Sequence, residues 1–324
     1  MTLKEIQEYL GEDWSKVTAL LKESLRSPVE VLDRTNTVLS SNGGKMLRPV
    51  LSLLVSKACG AVNGDCVRVA ASSQLLHNAS LLHDDVLDDS PSRRGAPTVH
   101  STLGARPSVL IGDFWLARAM TLVLGCEAHA REILSCFSKT VQDLVEGEML
   151  QMEKAGSGDT SEEDYLNIIF LKTASLFQTV CSCAAMAAGA DKELAAAVTE
   201  YGRLLGMAFQ IKDDILDYEG ESLGKPTGID LKEGKITLPL LGAFRKMDAE
   251  RERQVRRELA ALPQEPGKCQ EIADIVKTLD GTGYAAGRLA EFVDQAKEAL
   301  AVLPDSQAKG CLMELADYCA YRQI

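Results

Sequence analysis

The sequence predicts an all-α protein, a single-domain bundle of about a dozen helices around a deep central cavity. Apolar residues recur at three- and four-residue spacing, for example at Ile133, Phe137, Val141 and Leu144, which is the period of an amphipathic helix. Hydrophobic residues make up 46% of the chain, and Leu and Ala among them are good helix formers. Strand patterns are almost absent, so helices account for nearly all of the predicted secondary structure.

Short turn signals separate the predicted helices. Residues 60–64, 156–159, 189 and 220–228 carry glycines and polar residues typical of turns. Between these turns, residues 164–188 and 191–217 each have the pattern of one long helix. No linker rich in Pro, Gly or Ser divides the 324 residues, and no repeat of 20–50 residues is seen. One domain is therefore predicted to span residues 1–324.

Charge and cysteine usage exclude several classes of protein. Lys and Arg number 35 and Asp and Glu 47, so the net charge is −12, and no basic stripe indicates a nucleic-acid partner. The nine cysteines are scattered without a C-x-x-C pair, which favours reduced thiols and a cytoplasmic location. The N-terminus lacks an apolar signal segment, and no run of 18 apolar residues predicts a transmembrane segment.

Two acidic motifs of the form D-D-x-x-D lie about 130 residues apart, each at the end of a helical stretch. Their carboxylates are Asp84, Asp85 and Asp88 in the first motif and Asp213, Asp214 and Asp217 in the second. Residues three and four apart share a helix face, so the outer carboxylates of each motif lie together and need a cation between them. Carboxylates with substrate phosphates typically hold Mg²⁺. A solvated acidic helix end is the alternative for one motif, and the repetition weakens it.

Basic residues accompany the acidic motifs. They are Lys45 and Arg48 near a Gly-rich turn, the pair Arg93-Arg94 in a loop between Pro91 and Gly95, Lys172, Lys225 and Lys235. Arginine is suited to bidentate contacts with phosphate. Each cation taken singly is typical of a protein surface. Together with the acids they indicate a site for two polyphosphates, one bridged by metal and one held by side-chain cations.

The order of these motifs resembles that of the trans-isoprenyl (polyprenyl) diphosphate synthases, and most of all the long-chain, octaprenyl-type members. G-G-K-x-x-R-P is followed by H-x-x-x-L-L-H-D-D-x-x-D, R-R-G, K-T, F-Q-I-x-D-D-x-L-D and G-K-x-T-L-P, over about residues 42–241. The resemblance implies the isoprenoid synthase fold, normally as a homodimer. It also implies that Mg²⁺, for which Mn²⁺ can substitute, joins two diphosphate substrates in a prenyl transfer.

Roles for individual residues follow from the resemblance. The six aspartates of the two motifs would bind Mg²⁺. The diphosphate of an allylic substrate would be held by Arg93, Lys172 and Lys235, with help from Lys225. The diphosphate of isopentenyl diphosphate would be held by Lys45, Arg48, His77 and Arg94. Thr173 and Gln210 would lie near the reacting carbons, so that Lys172, Thr173, Gln210 and Lys235 form the catalytic set.

Two features depart from the family pattern. Met46 stands where many members carry a basic residue, which leaves Lys45 and Arg48 to do more. The C-terminus has one arginine, Arg322, where relatives often end more basic, and this residue is a weaker candidate for the second diphosphate.

Small residues precede the first acidic motif and indicate a long product. Ala79 and Ser80 lie five and four residues before Asp84, where short-chain enzymes of the family often place an aromatic residue. The expected product is a long all-trans polyprenyl diphosphate made from farnesyl or geranylgeranyl diphosphate, as for quinone side chains. Contact with a membrane surface is expected when this product is released. Phe137 is either the floor of the product cavity or an ordinary core residue.

Three alternatives stay open at this stage. A short-chain farnesyl or geranylgeranyl diphosphate synthase would have the same motifs. A class I terpene cyclase usually replaces the second D-D-x-x-D, which is intact here. A non-catalytic partner subunit of a heteromeric synthase typically loses acids from these motifs, and none is lost.

Overall fold

The structure is a computed structural model that describes residues 2–41, 44–93, 95–219, 228–262 and 266–322. Its α-helices in chain order are α1 (Leu3–Ser24), α2 (Glu30–Ser41), α3 (Leu47–Cys59), α4 (Gly64–Leu87), α5 (Val99–Leu103), α6 (Ala105–Leu124), α7 (Ala130–Ser157), α8 (Glu162–Ile169), α9 (Ser175–Ala187), α10 (Lys192–Glu219), α11 (Ile229–Lys232), α12 (Leu238–Phe244), α13 (Ala249–Ala260), α14 (Cys269–Thr278), α15 (Gly281–Ala299) and α16 (Gln307–Tyr321). A π-helical turn, Phe170–Ala174, joins α8 to α9, and 3₁₀ turns lie at Pro266–Lys268 and Leu300–Val302.

The all-α prediction is confirmed. In the described part of the chain, the only sheet is an antiparallel hairpin of β1 (Ser92–Arg93) and β2 (Ala96–Pro97). Its strands pair Ser92 with Pro97 and Arg93 with Ala96. The α-helices of the described residues number more than a dozen, partly because short segments such as α5 and α11 lie between the longer ones.

Polar residues begin several helices at the positions where the backbone needs them. Asn63 accepts hydrogen bonds from the backbone N–H groups of Asp65 and Cys66 at the start of α4. Ser161 and Asp164 form a reciprocal capping box at the start of α8. Each cap satisfies N–H groups that have no partner within the helix, which fixes where these two site-bearing helices begin.

The chain forms two compact units, each assembled from separate segments. Unit 1 comprises Met1–Ser138, Thr179–Thr199 and Val302–Leu312, and unit 2 comprises Lys139–Gln178, Glu200–Ala301 and Met313–Ile324. Neither unit is one continuous stretch, so no single cut in the sequence would separate them. The single domain and the deep central cavity stay predictions.

Helix α4 is the centre of unit 1. It packs on α6, α3 and α1, and most of its residues from Asp65 to Leu82 are buried. The Ser72 hydroxyl donates to the Ala119 carbonyl over 3.1 Å, and the Ser108 hydroxyl donates to the Leu82 carbonyl over 2.9 Å. These bonds tie α6 to α4 near both ends of their contact, which holds the first acidic motif on a rigid helix.

In unit 2, α12 packs on α15 and α14. The second half of α10, which carries the second acidic motif, is buried at Leu204, Leu205, Ala208 and Ile211. Both motifs therefore stand on helices whose apolar residues are largely buried.

Two helical stretches, Ala105–Leu124 and Glu162–Ala187, are long and apolar enough to cross a membrane by length and composition alone. Core helices of soluble proteins pass the same test, and 61% of the second stretch is buried. The absence of a transmembrane segment stays a prediction. All nine cysteines are free thiols.

Candidate active site

The first acidic motif closes α4. The helix ends at Leu87, and the N–H of Asp88 donates to the carbonyl of Asp84. Asp84 is half-buried and Asp88 exposed, whereas Asp85 is only 4% exposed. The outer carboxylates thus lie one turn apart toward solvent, and the middle one points into the protein.

The buried carboxylate of Asp85 is paired with a cation. The Nε of Arg93 donates to Oδ1 of Asp85 over 2.6 Å. Arg93 is the last residue of β1, so the hairpin brings it back to the end of α4. This contact uses one of the five N–H donors of the guanidinium group. Arg94, predicted to bind the second diphosphate, lies outside the described residues.

A cavity of about 620 Å³ lies beside this ion pair in unit 1. Asp85 and Arg93 line it together with Asn78, Met46 and Trp115. The indole N–H of Trp115 donates to Asn36 over 2.8 Å, which fixes the ring that forms one wall. The cavity combines an ion pair with apolar side chains, a mixture that suits a ligand with a charged head and a hydrocarbon body.

The other cations predicted for isopentenyl diphosphate also belong to unit 1. Lys45 is exposed just before α3, and Arg48 is half-buried in the first turn of that helix. Met46 precedes the helix in a left-handed conformation with φ 47°. His77 is half-buried on α4, two turns before Asp84. His83 packs against α6, since its Nε2 lies 3.3 Å from Oδ1 of Asp113.

The second acidic motif lies within α10 rather than at its end, because the helix continues to Glu219. Asp213 is half-buried, and its Oδ1 lies 2.8 Å from the guanidinium Nη2 of Arg322. Arg322 follows α16, is only 7% exposed, and stacks 3.9 Å from the ring centre of Phe209. In this structure the C-terminal arginine binds the acidic motif itself.

The middle carboxylate of the second motif is buried among neutral donors. Asp214 is 3% exposed, and it accepts hydrogen bonds from the hydroxyl of Tyr165 over 2.6 Å and the amide of Gln210 over 2.8 Å. Burial raises the pKa of the Asp214 carboxyl well above its usual range, and the charge of Asp230 adds to this effect. Burial likewise raises the pKa of Tyr165 well above its usual range.

The last carboxylate of this motif organises the chain that follows. Asp217 accepts hydrogen bonds from the backbone N–H groups of Ile229 and Asp230, each over 3.2 Å. Burial raises its pKa, and these two bonds oppose the rise. Burial also raises the pKa of Asp230 to about 7, with the charge of Asp217 as the second cause and the charges of Lys235 and Lys172 among the opposing ones.

The Lys-Thr pair sits on the π-helical turn Phe170–Ala174. Lys172 forms an ion pair with Glu148 of α7, and Thr173 donates to the side-chain carbonyl of Gln210 over 2.7 Å. Two glycines let the neighbouring helices approach this turn. A Cβ at Gly147 would lie 2.8 Å from Lys172, and one at Gly206 would lie 2.5 Å from the Cα of Ala174. Single π-helical turns are frequent at functional sites.

Lys235 follows α11 in unit 2. Its backbone N–H donates to the carbonyl of Asp230 over 2.8 Å, and its ammonium group pairs with Glu233. Lys225 lies outside the described residues. Unit 2 thus brings together the second acidic motif, Lys172, Thr173, Gln210 and Lys235. Four of their partners were not predicted from the sequence: Glu148, Tyr165, Asp230 and Glu233. Asp230 falls between two predicted lysines, which is a usable signal, but Tyr165 looks like any core aromatic.

The chemistry of the donors fits a hard divalent cation. Both motifs offer only carboxylate oxygens, the ligands that Mg²⁺ prefers. Among the residues that the structure describes, no group of three or more His, Cys, Asp or Glu side chains is close enough to hold a metal by itself. Mg²⁺ is usually held by one or two carboxylates together with substrate phosphates and waters.

Comparison with known proteins identifies relatives over the full chain. Residues 29–278 match the family model described as polyprenyl synthetase. The octaprenyl diphosphate synthase of Escherichia coli is 36% identical, with 99% of each chain covered. The geranylgeranyl diphosphate synthase of Methanosarcina mazei is 33% identical, with 100% of each covered. A crystal structure of polyprenyl synthase from Caulobacter crescentus, complexed with calcium and isoprenyl diphosphate, superimposes with a TM-score of 0.92 at 33% identity, over 100% of this chain and 98% of that one.

Proposed function

The chain belongs to the polyprenyl synthetase family, and we propose that it adds successive isopentenyl diphosphates to farnesyl or geranylgeranyl diphosphate and makes a long all-trans polyprenyl diphosphate. The protein is an enzyme of trans-prenyl transfer with chain elongation, as its relatives are. The long product, of the kind used for quinone side chains, and the choice of primer are the proposed parts. The observation that carries the proposal is the pair of acidic motifs, each with its middle carboxylate buried and its outer carboxylates more exposed than the middle one.

The outer carboxylates are the proposed metal ligands. Asp84 and Asp88 in unit 1, and Asp213 and Asp217 in unit 2, would bind Mg²⁺. Asp85 and Asp214, which the resemblance also names, would hold these carboxylates in place from the buried side. The metal, when bound, supplies positive charge that stabilises the leaving diphosphate. Mn²⁺ can replace Mg²⁺ because it accepts the same oxygen ligands.

The chain's own cations bind the two substrates in this proposal. Arg93, Lys172 and Lys235 hold the allylic diphosphate, with Lys225. Lys45, Arg48, His77 and Arg94 hold isopentenyl diphosphate. The allylic C–O bond breaks, and its electron pair leaves with the diphosphate. The isopentenyl double bond then forms the new C–C bond, and a proton is lost to the departed diphosphate as the new trans double bond forms.

Thr173 and Gln210 lie closest to the reacting carbons in this proposal. The hydroxyl hydrogen of Thr173 is used in its bond to Gln210, so the oxygen lone pairs of Thr173 are what it offers on other sides. Electron-rich oxygen stabilises an allylic cation, and neither residue needs to form a covalent bond. A nucleophilic side chain is not part of the mechanism.

A homodimer is the proposed assembly. Leu110, Ala117 and Leu124 are exposed on one face of α6 at seven-residue spacing, and Leu110 and Leu124 are 67% and 61% exposed. Such an apolar helix face is typical of a subunit interface. Leu110→Asp with Leu124→Asp should shift the protein to monomer in sedimentation velocity. Val302→Asp, at a valine 49% exposed in the 3₁₀ turn Leu300–Val302, is the matched control and should leave the dimer intact.

Product analysis tests the proposed function. Purified protein with Mg²⁺ and isopentenyl diphosphate should elongate farnesyl or geranylgeranyl diphosphate to products longer than geranylgeranyl diphosphate. Products that stop at farnesyl or geranylgeranyl length would identify a short-chain synthase. A cyclic hydrocarbon formed without isopentenyl diphosphate would identify a terpene cyclase, and activity only with a second protein would identify a partner subunit. Cytoplasmic location and membrane contact during product release complete the proposal.

A further inference from the structure

Tyr165 makes a buried contact with the second acidic motif that the mechanism above does not use. The residue lies on α8, is 3% exposed, and donates its hydroxyl to Oδ2 of Asp214 over 2.6 Å. Asp214 is equally buried. A carboxylate oxygen at this depth is costly unless it is hydrogen-bonded, and the Tyr165 hydroxyl meets that need.

The other oxygen of Asp214 is linked through Gln210 to Thr173, which is proposed to lie near the reacting carbons. Oδ1 accepts from the amide nitrogen of Gln210 over 2.8 Å, and the amide oxygen of Gln210 accepts from the hydroxyl of Thr173 over 2.7 Å. A side-chain amide has one donor end and one acceptor end. Because Asp214 takes the donor end, the acceptor end must face Thr173. Three hydrogen bonds thus fix the direction in which the Thr173 hydroxyl points.

We call the hydrogen-bonded series Tyr165, Asp214, Gln210 and Thr173 the relay. Its two ends lie on the same helical stretch, so the relay also fixes that stretch against a second helix. Tyr165 and Thr173 belong to the same helical stretch, which runs from α8 into the π-helical turn Phe170–Ala174. Tyr165 bonds to Asp214 on α10, and Thr173 bonds to Gln210 one turn earlier on α10. Two bridges therefore join the stretch that carries the Lys-Thr pair to the helix that carries the second acidic motif.

We propose that Tyr165 is a positioning residue for prenyl transfer, which holds Asp214 and, through Asp214, sets the Gln210 amide and the Thr173 hydroxyl. This inference rests on the proposed function. Tyr165 itself is two turns away from the Lys-Thr pair and acts only through the relay.

The test compares two tyrosines that make the same type of bond. Tyr284 donates its hydroxyl to Glu162 over 2.7 Å, also within unit 2 but outside the relay. Tyr165→Phe should lower kcat by about 10- to 100-fold, the range expected when a buried acceptor loses its hydrogen bond. KM for both substrates should stay within about threefold, since the diphosphate-binding cations are untouched. Tyr284→Phe should leave kcat within about twofold.

A double-mutant cycle separates the relay from general destabilisation. Thr173→Val removes the far end of the relay and keeps the side-chain volume. If the relay acts as a unit, Tyr165→Phe combined with Thr173→Val should be hardly slower than Thr173→Val alone. Tyr284→Phe combined with Thr173→Val should show additive effects. Additive effects in the Tyr165 cycle, or an unchanged kcat in Tyr165→Phe, would overturn the inference.

Amide hydrogen exchange provides a readout that does not depend on activity. Tyr165→Phe should speed exchange at residues 170–174 and 210–214, because one bridge between the two helices is lost. Tyr284→Phe should leave exchange there unchanged, and equal effects of the two variants would overturn the relay. A wild-type protein that forms no prenyl product would instead overturn the proposed function, and exchange would then decide the relay alone.

Discussion

The two acidic motifs differ in how their buried middle carboxylate is compensated: in the first motif, which closes a helix, it is paired with a cation, and in the second, which lies inside a helix, it is bonded to neutral donors. Asp85 is paired with Arg93 from the hairpin. Asp214, the equivalent residue of the second motif, is bonded to Tyr165 and Gln210 instead. The pattern D-D-x-x-D specifies which carboxylates share a helix face, but it does not specify how the buried one is compensated.

The outer carboxylates differ as well. Asp88 is exposed at the end of α4, while Asp217 is half-buried and holds the backbone at Ile229 and Asp230. Arg322 binds Asp213 in the second motif. The first motif is thus the more open one, and the second is built into its surroundings. The same substitution made at equivalent positions of the two motifs should therefore affect the stability of the protein differently and its catalytic rate similarly.

The largest expected effect is the loss of an outer carboxylate. Asp84→Ala or Asp213→Ala should each cost several kcal/mol of transition-state stabilisation, because each removes part of the metal clamp. A chelator should abolish activity and added Mg²⁺ should restore it. The measurement is kcat/KM with Mg²⁺ held in excess.

Asp89→Ala is the control for this prediction. The Asp89 side chain is 92% exposed directly after the first motif, where it pairs with His100. Its loss should change kcat/KM by less than about threefold, as for most exposed residues. Unchanged turnover in either Asp84→Ala or Asp213→Ala would contradict a site built from both motifs.

A smaller effect separates the two buried carboxylates. Asp85→Asn leaves Arg93 without its anionic partner and should lower the free energy of unfolding by about 1–3 kcal/mol, less than for a fully buried pair because Arg93 is 35% exposed. Asp214→Asn should cost less than about 1 kcal/mol. Both side chains that donate to Asp214, those of Tyr165 and Gln210, are neutral, so replacing the carboxyl group by an amide leaves no charged partner behind.

Urea unfolding of the metal-free variants at neutral pH measures this difference. Asp214→Asn should still lower kcat, because an amide has one acceptor end and one donor end and cannot accept from both the Tyr165 hydroxyl and the Gln210 amide as the carboxyl group does. A loss of stability in Asp214→Asn as large as in Asp85→Asn would show that the buried carboxylate of the second motif is compensated by charge after all.

The cations allow a third comparison, between the two substrates. His77 in unit 1 is assigned to isopentenyl diphosphate and Lys172 in unit 2 to the allylic diphosphate. His77→Ala should raise KM for isopentenyl diphosphate by about tenfold, or ~1.4 kcal/mol, and leave KM for the allylic substrate nearly unchanged. Lys172→Ala should do the reverse. His100→Ala is the control, and a rise in the allylic KM of His77→Ala would reverse the assignment.

The helices that carry the site could be predicted from the sequence. Apolar periodicity and turn residues place both acidic motifs on long helices, and the structure has α4 and α10 there. The outer carboxylates share a face for the same reason. These features depend on spacing within one helix, which the sequence states directly.

The partners of the buried carboxylates could not be predicted in the same way. Tyr165 is 49 residues from Asp214, and Arg322 is 109 residues from Asp213. Such contacts depend on how helices pack, and a tyrosine on an apolar helix face looks the same whether or not its hydroxyl has a role. The π-helical turn at Phe170–Ala174 was also not predicted, since it depends on close approach at Gly147 and Gly206.

The helices beneath the two motifs differ at one further point, which bears on product length. Four residues before the second motif stands Phe209, its ring 5.4 Å from that of Phe177 and covered by Arg322. The equivalent residue of the first motif is Ser80, preceded by the buried Ala79. The first helix therefore carries the smaller side chains at this level, and we expect the growing hydrocarbon tail to pass there, whereas the second helix carries an aromatic residue.

Ala79→Phe should obstruct this expected path of the tail and have the smallest effect on the chemistry. A helix residue five positions before Asp84 lies about one and a half turns below the carboxylates, so the new ring would meet the tail and not the diphosphates. The first condensation should proceed at nearly the wild-type rate, and elongation should stop near farnesyl or geranylgeranyl length. A graded series, Ala79→Val and Ala79→Leu, should give products of intermediate length if bulk alone sets the limit.

Phe137 allows the converse test, in which a large side chain is removed from the proposed floor of the product cavity. Its side chain is fully buried in unit 1, which fits either a cavity floor or an ordinary core residue. Phe137→Ala should lengthen the product in the first case and leave its length unchanged in the second, with a loss of stability of about 3–5 kcal/mol in either.

The decisive observation is the set of product lengths that Ala79→Phe makes, measured after long incubation. If that variant folds, remains active and still makes the wild-type length, the tail does not pass this face of α4, and the small residues beneath the first motif do not set the length of the product.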